Sequence, residues 1–159
     1  SVQADLNRLP IGPEIYLASE IQRGEAAMLK FQIERISTIK ELTQLLTKTD
    51  AKAEEIKKLQ DALKANETAM AQARIKQSEH RLEYKNQEKQ ALKVSLGNAF
   101  MDVYALTSDE VQQYKRDWDR LNHEVEIAQI RLNIARLEAC YDAVEGRTLQ
   151  DFLDQCVEK

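Results

Sequence analysis

The chain has 159 residues, 43% hydrophobic and 31% charged, with only four glycines and two prolines. That balance excludes a disordered or low-complexity chain, and the length fits one domain. A formal charge of -4 excludes the global basic field that recruits nucleic acid, and no run approaches the ~18 apolar residues of a membrane span.

The first twelve residues, SVQADLNRLPIG, read as an irregular arm. Pro13 and Glu14 then open a helix, because proline suits the first turn and glutamate suits the positive end of the dipole. No proline follows Pro13, which favours long helices from there on. The first helix is predicted over about 13–48. Its apolar residues, Leu29, Phe31, Ile33, Ile36, Ile39, Leu42 and Leu45, span a face wider than a coiled-coil seam. Thr49 or Asp50 is expected to cap the next helix.

The second helix is predicted over about 51–105. One heptad column runs Ile56, Leu63, Met70, Gln77, Tyr84, Ala91, Asn98, Ala105; the other runs Leu59, Asn66, Ala73, His80, Gln87, Val94, Met101. Between Gln77 and Gln90 the stretch QSEHRLEYKNQEKQ holds one aliphatic residue, Leu82. The seam positions Gln77, His80, Tyr84 and Gln87 read either as a polar layer that fixes register or as a wet seam where the helix bends. The end of this helix is again broadly apolar, with Leu92, Leu96, Phe100 and Val103.

Thr107 and Glu110 have capping-box spacing, and Leu106 and Val111 occupy the staple positions, so a third helix is predicted over about 108–145. Its seam is Val111, Tyr114, Trp118, Leu121, Val125, Ala128, Leu132, Ala135 and Ala139, with Trp118 as a core anchor. A second stripe joins it: Ile127, Ile130, Ile134, Leu137 and Tyr141. Gly146 suits the residue after the helix end, and Thr148 with Asp151 opens a short last helix over about 148–157.

These elements predict an all-α fold of long antiparallel helical hairpins. The expected form is a coiled-coil-like three-helix bundle with a short C-terminal helix, a single elongated domain over 13–159. Short turns place the first helix beside the first half of the second, and the third beside its second half. The three meet near the polar stretch. The competing arrangement breaks the second helix near residues 86–90 or at Gly97 and closes a compact four-helix bundle. Residues 51–100 hold ten Lys/Arg against seven Asp/Glu, and residues 101–159 hold seven against thirteen. Opposite signs on successive helices favour their pairing.

Little in the chain points to catalysis. The two histidines, His80 and His123, have no metal-motif spacing, phosphate-cradling loops are absent, and no serine has a nucleophile-elbow context. Glu54–Glu55 and Asp109–Glu110 sit where helix starts favour negative charge. No enzymatic activity and no cofactor are expected. His80 on a seam is a candidate pH-responsive group. Cys140 and Cys156 lie on either side of the last corner, at nearly the same level, and a bridge there would imply an oxidising compartment.

The leading expectation is a non-enzymatic helical interaction or assembly module that associates with itself or with other helical proteins. Phe31, Ile39, Leu45, Leu96, Phe100 and Val103 are the candidate interface residues, because a hairpin would leave wide apolar faces uncovered. The alternative is an extracytoplasmic accessory component of a bacterial envelope or secretion assembly, or an exported virulence factor. It rests on the cysteine pair, the N-terminal arm and a chain that starts at Ser1 rather than Met, as a processed one would. No signal-peptide pattern is visible. A periplasmic or secreted location follows only if the cysteines are bridged. A membrane-active helical protein is the second alternative, disfavoured because the polar faces mix both signs of charge. No nucleic-acid or membrane partner is expected.

Overall fold

A computed structural model describes residues 13–101, 107–144 and 148–157, with side chains described from residue 17 and, in the first stretch, as far as residue 97. All elements are helical: α1 (Pro13–Leu46), α2 (Ala53–Met101), α3 (Ser108–Ala143) and α4 (Leu149–Phe152), the last continuing into a π-helical turn, Leu153–Val157. The three long helices pack in sequence order, α1 on α2 and α2 on α3. The expected all-α class and its short C-terminal helix are therefore found. The arm at 1–12, the expected end of the second helix beyond Met101, Leu106 and Gly146 lie outside the described residues.

Helix boundaries follow local chemistry. Pro13 stands at the first position of α1, where its missing N–H costs nothing. Thr107 caps α3: its Oγ1 accepts from the Glu110 N–H at 3.2 Å and its carbonyl accepts from the Val111 N–H. At α4 the capping box is reciprocal. The Thr148 hydroxyl accepts from the Asp151 N–H, and the Asp151 carboxylate accepts from the Thr148 N–H at 3.3 Å. The start of α2 departs from expectation. Neither Thr49 nor Asp50 caps it; the Lys52 carbonyl takes the first bonds, from the Glu55 and Ile56 N–H groups. Glu54 and Glu55 then face the N-terminal dipole and supply the favourable charge that a capping aspartate would have brought.

The break in the second helix that the competing arrangement requires does not occur. α2 is helical over 49 residues, through 86–90 and through Gly97. A Cβ at Gly97 would meet nothing within 4 Å, so no close neighbour imposes a bend there.

The chain divides into two compact units. The first joins the described residues up to Ile21 with Ser78–Leu132; the second joins Gln22–Gln77 with Asn133 onward. In the first unit Leu17, Leu121 and Leu132 are buried. Each such leucine contributes about 2 kcal/mol through removal from water. Here α2 and α3 run antiparallel. Lys85 meets Glu124, and Lys89 lies one turn further along α2 over Trp118.

In the second unit the buried apolar residues are Met70, Ala71, Ala135 and Val144. α1 runs antiparallel to α2: Gly24 lies against Gln77, Phe31 against Asn66, and Arg35 against Glu67. A Cβ on Gly24 would meet the Gln77 side chain at 3.4 Å, an ordinary van der Waals contact, so the approach does not require glycine.

The heptad along α2 is used in part. In the second unit its columns face inward from Ile56 to Gln77. In the first unit His80, Tyr84 and Gln87 stay half-buried alongside Lys85 and Lys89, but beyond Gln87 the columns leave the seam: Ala91 and Val94 are exposed, and Leu92 and Leu96 are half-buried instead. An ideal helix drifts about 20° per heptad against a 3.5-residue repeat, so columns kept over this length rotate away from a straight neighbour.

Candidate interaction surface

The polar seam is half-buried at every position: Gln77, His80, Tyr84 and Gln87 each keep partial solvent access. Gln77 belongs to the second unit and His80, Tyr84 and Gln87 to the first, so the four do not form one layer within a unit. The Oε1 of Gln87 is shielded from solvent and has no hydrogen-bond partner. Among the described residues the buried polar side chain lies elsewhere, at Asn66, 9% exposed. Its Nδ2 donates to the Phe31 carbonyl at 3.1 Å and to Glu34 Oε2 at 3.4 Å, while its Oδ1 has no partner. Beside it, Arg35 pairs with Glu67 at 3.6 Å. Asn66 is therefore the residue that ties α1 to α2 in one register, as a polar group on an apolar seam does. The signal for it in the sequence is its place in the heptad column, a polar break between Leu59 and Ala73.

In the first unit the polar stretch supplies a charged cluster. Lys85 Nζ lies 2.9 Å from Glu124 Oε2 and 3.3 Å from Glu88 Oε1, and Arg120 holds the other Glu124 oxygen at 2.9 Å. The hydrogen bond from Lys85 pulls the Glu124 carboxyl below its ordinary value; burial opposes this, and Arg120 assists. Burial acts to lower the Lys85 ammonium, yet Glu124 and Glu88 together outweigh it and hold it above its ordinary value.

The candidate interface residues are only partly surface residues. Ile39 is exposed, whereas Phe31, Leu45 and Leu96 are half-buried. Leu96 lines an apolar groove of about 340 Å³ with Val111, Tyr114 and Trp118, flanked by Lys93 and Lys115. Trp118 is half-buried, and Lys89 sits 5.1 Å from its ring centroid, so it is a cation–π platform as well as a packing residue. The Phe100 side chain and Val103 lie outside the described residues.

Exposed apolar surface instead falls on neighbouring positions. On α1, Leu29, Ile33 and Ile36 are 60%, 68% and 66% exposed. Their spacing of four and three puts them on one side of the helix. On α3 the second stripe is uncovered: Ile127 and Ile130 in the first unit, Ile134, Leu137 and Tyr141 in the second. Each is a large hydrophobic residue open to solvent at i, i+3, i+7 spacing. The apolar stripe read from sequence lies on α3, and among the described residues it is exposed.

At the end of the second unit Cys140 and Cys156 form a disulfide, with Cα atoms 5.7 Å apart. Tyr141 meets Phe152 edge to face at 5.3 Å between ring centroids. No residue of α4 or its π-helical turn is buried. Among the described residues no three His, Cys, Asp or Glu side chains converge to hold a metal ion, and no helix is long and apolar enough to cross a membrane. No family model matches the chain, and no match is found among curated proteins or solved structures.

Proposed function

We propose that this protein is a non-enzymatic helical interaction module that assembles with a second copy of itself through the uncovered apolar sides of α1 and α3. The observation that carries this reading is the α3 stripe from Ile127 to Tyr141. Five large apolar residues at heptad spacing are exposed on one helix. Scattered surface leucines need no explanation, but an apolar line at seam spacing is what a partner helix covers.

Light scattering tests this with the wild-type chain and an Ile134→Glu/Leu137→Glu variant. Both residues are already exposed, so the variant should keep its helicity by circular dichroism. The wild type should run as a dimer or larger, and the variant should run as a monomer. A monomeric wild type at the highest soluble concentration would overturn self-assembly. An oligomer unaffected by the variant would remove α3 from it.

The disulfide favours a second reading on location. Bridged cysteines persist in oxidising compartments, which supports an extracytoplasmic accessory role in an envelope or secretion assembly, or export. Intact-mass analysis of protein thiol-trapped at the moment of cell lysis checks this. Two alkylated cysteines would remove the reading and leave the interaction module standing.

A further inference from the structure

The first unit contains a cleft of about 390 Å³ between its three helical segments. Its apolar walls come from Ile21 of α1 and from Ile127 and Ala128 of α3; Tyr84 of α2 adds a ring. Its charged groups are Arg81 and Lys85 on α2 and Glu124 and Arg131 on α3. Helical spacing produces this arrangement. Arg81 and Lys85 are four residues apart, as are Ile127 and Arg131, so each pair projects to one side of its helix.

Three cations thus face one carboxylate. Glu124 is already committed, with one oxygen on Lys85 and the other on Arg120, each at 2.9 Å. Lys85 is further balanced by Glu88. Arg131 is exposed and has no ion-pair partner among the described residues. The cleft therefore joins an apolar interior to a guanidinium that has no ion-pair partner among the described residues.

The geometry points to a binding site for an amphipathic monocarboxylate, its carboxylate on Arg131 and its apolar body between Ile21 and Ile127. Size and charge select this class. The cleft falls in the ~300–1,000 Å³ range of small-molecule sites. A guanidinium fork matches a carboxylate with two parallel hydrogen bonds. Arg81 already has a partner, so one cation unpaired among the described residues balances one negative charge, whereas a phosphate dianion would bring a second charge into a mostly apolar cleft. This inference does not rest on self-assembly.

Isothermal titration of the full chain with sodium decanoate, below its micelle concentration, tests the site. Decanol and decyltrimethylammonium serve as comparison ligands. Arg131→Gln removes the guanidinium, and Arg116→Gln removes the same charge from an exposed position on α3 that does not line the cleft. Decanoate should bind saturably at one equivalent and weaken about tenfold in Arg131→Gln, with Arg116→Gln unchanged. Decanol should bind at least fivefold more weakly than decanoate, and the cation more weakly still. No saturable decanoate binding would overturn the site. So would equal losses in the two variants, which indicate diffuse charge attraction, or equal binding of decanol, which indicates an apolar cleft without anion recognition.

Discussion

Breaking the Cys140–Cys156 disulfide should release the C-terminal segment and leave the rest of the second unit folded. The segment comprises four residues of α4 and five of the π-helical turn, none of them buried. Its local supports are the Thr148–Asp151 capping box, worth about 1 kcal/mol, and the Tyr141–Phe152 contact, worth about 0.5–1.5 kcal/mol. Ordering each backbone residue costs about 1–2 kcal/mol, and a helix this short recovers little of that through its own hydrogen bonds. The bridge supplies the difference. It spans 16 residues, and closing a loop of that length removes about 3 kcal/mol of chain entropy from the undocked state.

Hydrogen exchange on the oxidised chain and on the reduced, alkylated chain measures this directly. A loss of about 3 kcal/mol corresponds to roughly a hundredfold faster exchange, confined to residues 149–157. Helicity should fall only by the contribution of that segment, and exchange in α1 should not change. Equal protection of residues 149–157 in both forms would refute the reasoning, because burial rather than the bridge would then hold the segment. A matching loss of protection in α1 and α2 would refute it differently, by making the bridge a support of the whole unit.

Two further predictions concern buried polar groups. Asn66→Leu removes the unpartnered Oδ1 and fills an apolar seam, so it should stabilise the fold by about 1 kcal/mol and raise Tm by a few degrees; a lower Tm would show that the bond to the Phe31 carbonyl outweighs the orphaned oxygen. Glu124→Gln should cost about 0.5–1 kcal/mol at neutral pH, a figure kept small because both partners of the Lys85 pair are about one-third exposed. The folded-state value of Glu124 is depressed, so its contribution holds above the ordinary 4.5 and is lost as pH falls through the lower folded value. That of Lys85 is raised, so its contribution holds below the ordinary 10.5 and is lost as pH rises through the higher folded value. Urea midpoints of wild type and variant should therefore differ at pH 7 and converge in strong acid; a gap of constant size would show that the carboxylate's charge is not the cause.

Local signals in this sequence were legible because they act over a few residues. Pro13, Thr107 and Thr148 each mark a helix start that their own backbone neighbours complete. The same logic points to Thr49 or Asp50 for the start of α2, where the structure has Lys52 instead. Thr49 and Asp50 are better capping residues than Lys52, but Glu54 and Glu55 already supply the charge the helix end requires. Faces were less legible than boundaries. Heptad spacing says that Ile127, Ile130, Ile134, Leu137 and Tyr141 share a side of α3; it does not say whether anything in the same chain covers that side. Likewise Phe31 and Ile33 belong to one apolar run, yet the first is half-buried and the second is largely exposed. Only packing distinguishes them.

The polar stretch of α2 has a physical account that neither a register layer nor a hinge required. In the second unit α2 presents its heptad columns, down to Gln77, toward α1. In the first unit it presents Ser78, Arg81, Lys85, Lys89 and Leu96 beside α3. From His80 to Lys89 residues of both sets are half-buried, eight of the ten, so the helix has a broad, partly wetted face there rather than a narrow dry seam. A fully apolar residue on such a face leaves area in water, and a short polar one leaves a gap. Arginine, lysine, glutamine and tyrosine satisfy both demands, since each lays an apolar stem or ring against its neighbour and keeps its polar end in solvent. The composition of QSEHRLEYKNQEKQ is thus what a helix needs where its packing passes from one set of positions to another. The same half-wetted face is what gathers Arg81, Tyr84 and Lys85 at the cleft with Arg131, so the feature that makes the stretch polar also makes it the part of α2 best equipped to bind an anion.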